Sequence, residues 1–526
     1  MDKLNFMNSI RVPSPKKSVF DLTHDVKLSC NMGWLVPSMV ADLVPGDKVD
    51  LSTEALIRLA PLVSPMYARL NVTFHSWAIP YRILWPGWSD YITETKSGTP
   101  PVLPAFPTLT IGPTGHSYSS LLDYLGIPDV PTGPVPLQNE TISAMRLAAY
   151  QCVYNEFYRD ENLVPEVNWE LVDGDNNSNA DLWDLRKRAW RHDYFTSNLP
   201  FAQKGDPVDL PISFTDLPVK ANKDYFQFTL PGTDTQVADP TGWVGQPSAT
   251  PTAPAVDIED PTGTDVANTD AFFAQGAGTG STTINDLRLA EQLQKYLERA
   301  ARAGTRLVEW IRGMFDEILP DYTAQRPQYI GGTMSPIQIS EVLNTTGVAG
   351  ELPQGNMSGR GISVNSGHMG TYKAREHCVI LTFMSIMPET TYQQGIEREW
   401  KKINDPKDFL NPLFAHLGEQ ETKNHEIMAY ISGYSDNTFG YLPRYAEYRT
   451  IPNRVAGDFR TTLNYWTMSR IFDGIAPPQL NQTFIEADPT HRVFADTDPN
   501  DQKCYVHCLN KIRGVRPLPK YGTPFL

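Results

Sequence analysis

What most restricts the fold of this chain is the spacing of its strand-like segments. In "RLNVTFHSWAIP" (69–80) Leu70, Val72 and Phe74 alternate with Asn71, Thr73 and His75, and "EHCVILTFMSIMP" (376–388) is a mostly apolar run closed by proline. Both patterns predict strands. Further strand-like pieces lie at 26–36, around 224–230 and at 503–513. Connections in compact domains usually run to about 4–6 residues, so intervals this long leave two readings: several domains, or one β-domain whose loops have grown into substructures. The 44 prolines and 36 glycines among 526 residues favour long loops around β-structure, because each proline removes a backbone donor and each glycine costs order. A 40% hydrophobic, 11% aromatic composition is enough for a sizeable core.

Helical spacing is clearest after Asn285, a candidate N-cap, where Leu287, Ala290, Leu293, Leu297 and Ala301 recur three or four residues apart. Glu291/Lys295 and Glu298/Arg302 stand as i, i+4 pairs on its outer side. Gly304 interrupts the pattern, and a second amphipathic piece with Leu307, Trp310, Ile311, Met314 and Phe315 ends before Pro320. A third helix is predicted at 141–160 and a short one at 181–190.

No apolar run reaches the ~18 residues of a membrane span, and the first residues lack the apolar core of an export signal. The chain is therefore expected to be soluble, without membrane insertion, and made in a cytoplasm. Five cysteines, odd in number and mostly far apart, argue against a disulfide framework. The net charge of -15 argues against binding duplex nucleic acid over the whole surface, yet the charge is uneven. Residues 503–526 carry Lys503, Lys511, Arg513, Arg516 and Lys520 with no acid, and the start holds Arg11, Lys16 and Lys17. Interleaved with Tyr505 and Tyr521, the basic end has the composition of a single-strand contact, in which cations neutralise phosphates and rings stack on bases. A solvated edge strand kept from aggregating by its charges is the other reading. In 231–283, by contrast, 24 of the 53 residues are Gly, Pro or Thr, with Asp257 among several acids and no Lys or Arg. This predicts an exposed, irregular insertion, although Trp243, Phe272 and Phe273 suggest that it folds against something.

Signals for catalysis and metals are incomplete. "HEIMA" (425–429) begins like a zinc-protease helix but has Ala429 where the second histidine is required. In "CYVHC" a strand would send Cys504 and Cys508 to one face and His507 to the other, so the ligands would not converge. "GAGTGS" (276–281) lacks the lysine of a phosphate loop, and no G-x-S-x-G occurs. No catalytic residue, metal ligand or cofactor is assigned. The aromatic stretch "TFHSWAIPYRILWPGWSDYI" (73–92) crowds His75, Trp77, Tyr81, Trp85 and Trp88 together, as either a ligand platform or a packing element.

Longer strings resemble a known family. "FDLTHDVKLSCNMGWLVPSMVADLVPGDKVDLSTEALIRLAPLVSPMYARLNVTFHSWAIPYRILW" (20–85) is similar to the N-terminal region of the major capsid protein of the Microviridae, small icosahedral single-stranded DNA phages, especially gokushovirus-like members. "KRAWRHDYFTSNLPFAQKGDPV" (187–208), "LRLAEQLQKYLERAARAGTRLVEWI" (287–311), "RPQYIGG" (326–332), "LPQGN" (352–356), "TYQQG" (391–395) and "FGYLPRYAEYRTIPNRVAGDFR" (439–460) continue the likeness in order. It covers most of the chain except 209–283.

The resemblance implies a mainly β fold: a single eight-stranded antiparallel jelly roll, a β-sandwich or barrel, with very long inter-strand loops that contain several helices. One such domain would span 1–526, with 209–283 as a surface insertion gathered into a three-fold protrusion. It further implies a non-enzymatic capsid protein that assembles through pentamers in the host bacterial cytoplasm into a T=1 virion shell of sixty copies around single-stranded DNA. A small basic DNA-packaging protein, an internal scaffolding protein, a pilot protein and a host surface receptor are the implied partners. Inner-surface DNA contacts are expected at Arg11, Lys16, Lys17, Lys511, Arg513, Arg516 and Lys520, and host contacts at Trp243, Asp257, Phe272 and Phe273. Within this frame Trp77, Tyr81, Trp85 and Trp88 are expected to anchor neighbouring subunits and to stand exposed in an isolated one. The competing class is a glycan- or receptor-binding β-sandwich surface protein, against which the missing export signal weighs.

Overall fold

The computed structural model describes residues 16–95, 102–112, 115–128, 139–209, 219–221, 227–229, 257–259, 272–274, 283–345, 356–430, 436–472, 474 and 476–521. The chain divides into two compact units, Met1–Lys204 with Glu298–Leu526, and Gly205–Leu297.

The first unit is built on one large antiparallel sheet. Its strands, numbered in chain order, are β1 (Ser18–Asp21), β2 (His24–Cys30), β3 (Val36–Leu43), β4 (Lys48–Leu59), β5 (Leu70–Pro80), β6 (Gln328–Leu343), β7 (Met357–Lys373), β8 (Cys378–Pro388) and β9 (Cys504–Arg516). β1 and β2 both pair with β9, β1 over Arg513–Arg516 and β2 over Cys504–Asn510, so they occupy one position in the sheet. From there the order runs β9, β4, β7, β6, β5, β8, β3. Nine strands thus fill eight positions, and early and late strands alternate across the sheet except at the β6–β7 pair, a pattern consistent with a jelly-roll wrapping. The single strand expected at 26–36 is divided between β2 and β3. Its middle turns at Gly33, where φ is +87 and a Cβ would lie 2.4 Å from the Ala487 carbonyl oxygen.

The sheet curls, and its inward side chains form one core that includes Val36, Leu51, Ile57, Phe74, Ile380, Met384, Cys508 and Ile512. Its β3 edge is tied by side chains of β9. The Asn510 amide donates to the Ser38 carbonyl at 3.0 Å, and the Arg516 guanidinium donates to the Asp42 carbonyl at 2.7 Å. Carbonyls on β3 that lack a ladder partner are satisfied this way. β6 and β7 each carry a bulge at a glycine, and a Cβ on Gly331 would meet the Met369 oxygen at 1.7 Å.

β8 reads as a continuous apolar run because both of its faces are buried. Cys378, Ile380 and Met384 face the inner core, whereas Val379, Leu381 and Phe383 join a second core with helix α1 (Met145–Phe157). That helix is apolar nearly all round and correspondingly buried. It replaces the predicted helix 141–160, whose first residues instead pair as strand Thr141–Ser143 with Thr108–Thr110. At 181–190 only a 3-10 turn, Ala180–Trp183, forms. Beyond it the backbone is extended, with Arg186 accepting from Leu35 N and Arg188 from Ala487 N. Helix α2 (Ile284–Ala303) is capped by Thr283, two residues before the expected Asn285. The Asp286 amide donates to Thr283 Oγ1 and the Thr283 amide to Asp286 Oδ2, a reciprocal pair that satisfies both ends. The Glu291–Lys295 pair forms at 2.6 Å, while Arg302 turns to Glu419, far away in sequence. Helix α3 (Leu307–Phe315) follows the break at Gly304.

In the second unit, Val219–Ala221 pairs with Phe272–Ala274 and Gln227–Thr229 with Asp257–Glu259, two short antiparallel ladders. The strand expected around 224–230 is the Gln227–Thr229 piece. No helix among the described residues is long and apolar enough to cross a membrane.

Candidate assembly and nucleic-acid surfaces

The aromatic stretch is positioned by β5 and by two short helices that follow it, Tyr81–Leu84 and Trp88–Ile92. Trp85 is 1% exposed and Trp77 6%, both inside the second core of their own chain. The Trp85 indole N–H donates to Asp173 Oδ1 at 2.7 Å, and its ring lies 5.5 Å from Tyr91 and 5.7 Å from Phe106. The Trp77 N–H donates to the Tyr158 hydroxyl at 3.2 Å, and that hydroxyl sits 2.8 Å from His75 Nδ1. With its oxygen already accepting, the Tyr158 O–H is free to donate to a neutral His75. Burial and the nearby Arg188 push His75 down to about 4, so it is neutral at pH 7.

The expectation that these rings stand exposed in an isolated subunit is therefore corrected for Trp77 and Trp85. β5 turns Trp77 inward onto Phe157 of α1, and the short helix Tyr81–Leu84 delivers Trp85 onto Tyr91 and Phe106; only the fold shows these partners. Tyr81 and Trp88 are half-buried, in edge contact with each other at 5.0 Å, and the Tyr81 hydroxyl donates to Asp42 at 2.7 Å.

The basic residues expected to meet DNA are largely balanced within the chain. On β9, buried Cys504, Val506, Cys508, Asn510 and Ile512 alternate with outward Tyr505, His507, Lys511 and Arg513. Lys511 pairs with Glu54 at 2.5 Å. Arg513 lies opposite Asp50 on one neighbouring strand and Asp21 on the other. Arg516 reaches the fully buried Asp47 at 3.3 Å, and Lys503, also buried, pairs with Asp496 at 2.6 Å. Lys17 donates to the Gly46 carbonyl at 2.7 Å, Lys16 is exposed, and Lys520 lies 5.9 Å from the Tyr521 ring centre. Arg11 is outside the described residues. The acid-free stretch of sequence is thus not an acid-free surface, because register brings carboxylates from β1 and β4 to it.

Of the expected host-contact residues, Asp257, Phe272 and Phe273 lie on the two short ladders of the second unit, and Trp243 is outside the described residues. Cys504 and Cys508 do point inward, near Cys30, while His507 points outward and lies 3.5 Å from Asp25. Among the described residues no three His, Cys, Asp or Glu side chains converge to hold a metal.

Sequence reasoning missed a different surface. Between Ile396 and Ile451, large apolar side chains stand exposed on loops and 3-10 turns. The signal was present in "GIEREWKKINDPKDFLNPLFAHLG" (395–418), where apolar residues recur without strand or helix periodicity. The loops are held from below. Lys402 and Glu447 form a buried pair at 2.9 Å, with Gln420 donating to Glu447 at 2.7 Å. Arg398 pairs with the buried Glu426 at 3.2 Å, and the Tyr194 hydroxyl donates to Glu426 at 2.7 Å. Such pairs hold the backbone in one geometry while its apolar side chains face outward.

The family described as "Capsid protein (F protein)" matches residues 10–526. Capsid protein VP1 of Chlamydia phage 1 is 33% identical over 594 aligned positions, covering 99% of this chain and 98% of that protein. Capsid protein VP1 of Bdellovibrio phage phiMH2K is 32% identical over 525 positions, covering 97% and 95%. The VP1 of Spiroplasma virus 4 is 28% identical over 550 positions, covering 97% and 95%. The Microviridae resemblance read from the sequence holds, and the chain belongs to the F-protein family of phage capsid proteins.

Proposed function

We propose that this chain is the major capsid protein of a small single-stranded DNA phage and that it acts by assembling with copies of itself around the genome. The observation that carries this reading is the family match over nearly the whole chain, with relatives covered over 95% or more of their length. The exposed apolar loops support it, since a shell subunit must bury surface on several neighbours at once. The role is structural, in the virion, with assembly in the host bacterial cytoplasm. The finer reading is a T=1 shell of sixty copies formed through pentamers. A scaffolding protein, a pilot protein and a small basic packaging protein act beside it.

In this reading the insertion at 209–283 forms three-fold protrusions that contact a host surface receptor. Its acid-rich composition, free of Lys and Arg over 231–283, suits an outer surface better than one facing DNA. DNA contact falls to Arg11, Lys16 and Lys520, since Lys17, Lys511 and Arg516 are engaged within the chain and Arg513 lies opposite Asp50 and Asp21. Tyr81 and Trp88 remain candidate anchors toward a neighbour.

Particles purified after expression test the reading by mass and symmetry. A shell of sixty copies is expected, and a stable monomer with hydrolase activity would overturn it. Limited proteolysis of intact particles is expected to cut first within 209–283, whereas protection of that tract would place it inside the shell.

A further inference from the structure

One apolar surface stands at the upper limit of what a free chain exposes. Trp400 is 75% exposed, Ile403 79%, Leu413 83% and Ile451 90%, with Phe409 and Tyr448 also open to solvent. The loops that carry them are joined. The Lys402 ammonium lies 3.9 Å from the Tyr448 ring centre, and the Leu410 amide donates to the Tyr448 hydroxyl at 3.4 Å. Trp400 and Ile451 border one recess of about 600 Å³.

Six such side chains leave on the order of 600 Å² of apolar surface, at roughly 100 Å² each. That is the upper end of what monomeric proteins expose, roughly 300–600 Å², and it approaches the ~800 Å² per partner of a specific interface. The support is already ordered: the Lys402–Glu447 and Arg398–Glu426 pairs fix the loops from beneath. Little ordering entropy is then lost on docking. Around the recess Glu397 and Glu399 alternate with Arg398, Arg454 and Arg460. Charges so mixed do not select a polyanion, which weighs against nucleic acid as the occupant.

We infer that the Trp400–Ile451 surface is a contact between copies of this chain, docking on a second subunit in the assembled particle. The inference rests on the capsid reading and adds where one of its interfaces lies. If the surface meets itself, it builds a two-fold pair; if it meets a different surface of the neighbour, it builds a ring.

The test is hydrogen exchange on purified particles and on unassembled subunits, together with the double variant Trp400→Glu, Ile451→Glu. Amides of 396–413 and 446–451 are expected to gain at least tenfold protection on assembly. The double variant is expected to keep the circular dichroism and melting temperature of the unassembled wild type while its particle yield falls tenfold or more. Unchanged exchange in these segments overturns the inference, as does a normal particle yield from the variant. Protection that appears only when particles meet host cells assigns the surface to a receptor and also overturns it. A wild-type chain that forms no particles fails the capsid reading itself, a result distinct from those.

Discussion

Replacing Trp85 by alanine separates the two roles that the aromatic stretch can play. The ring is 1% exposed and lies against Tyr91 and Phe106 in the core around α1. Its fit is tight, since a Cβ on Gly87 would come within 2.7 Å of the indole. Trp→Ala in such a site costs about 3–5 kcal/mol, from lost transfer free energy and the cavity left behind. The broken bond to Asp173 adds little, because that carboxylate is exposed and water replaces the indole. We therefore expect a loss of about 4 kcal/mol, a large part of the ~5–15 kcal/mol that holds a domain. Urea unfolding of the unassembled chain reads it as a lowered midpoint, the ~4 kcal/mol divided by a slope above the ~1–3 kcal/mol/M of small proteins. Trp400→Ala, on the surface, is expected to change the same midpoint by no more than ~0.5 kcal/mol equivalent. The core assignment is refuted if Trp85→Ala keeps the subunit within ~1 kcal/mol of wild type and yet abolishes assembly.

Three further outcomes follow from other sites. Lys402→Met leaves the Glu447 carboxylate buried without its cation and is expected to lower stability by about 3–5 kcal/mol, with at least half restored in the Lys402→Met, Glu447→Gln double variant, read by thermal melting. His75 has its proton affinity depressed to about 4 by burial, so between there and its ordinary 6.5 the unfolded chain binds a proton that the folded one does not. Its contribution is complete above pH 6.5 and is lost as pH falls toward 4, at up to ~1.4 kcal/mol per pH unit and about 3 kcal/mol in all. Melting temperatures measured at pH 7 and pH 5 should therefore converge in His75→Gln. Asn510→Leu removes the amide that satisfies the Ser38 carbonyl across the core and is expected to cost about 1–3 kcal/mol in the same assay; no change would mean that the edge of β3 closes without it.

Much of the fold was legible locally. Alternation placed β5 and β9, and the apolar run at 378–388 is a strand that meets the inner core on one face and α1 on the other. Where local reading failed, either a better local bond or a distant segment had intervened. The cap of α2 moved to Thr283 because reciprocal bonds with Asp286 satisfy two amides at once. The 181–190 segment stays extended because its backbone is taken by Leu35 and Ala487. The basic end looked free of acids only because Glu54, Asp50 and Asp21 are hundreds of residues away in sequence.

By itself the sequence determined the mainly β class, the long loops, the inward and outward faces of β5 and β9, and the family. These follow from periodicity, composition and strings of residues, each a property of neighbouring positions. Only the tertiary structure decided which strands lie side by side, that Trp77 and Trp85 pack inside their own chain, that Lys511 and Arg516 are engaged by carboxylates, and that Trp400 and Ile451 are left uncovered. The physical reason is that charge balance and burial depend on what lies opposite a side chain. In this chain that partner arrives across sequence separations of up to several hundred residues.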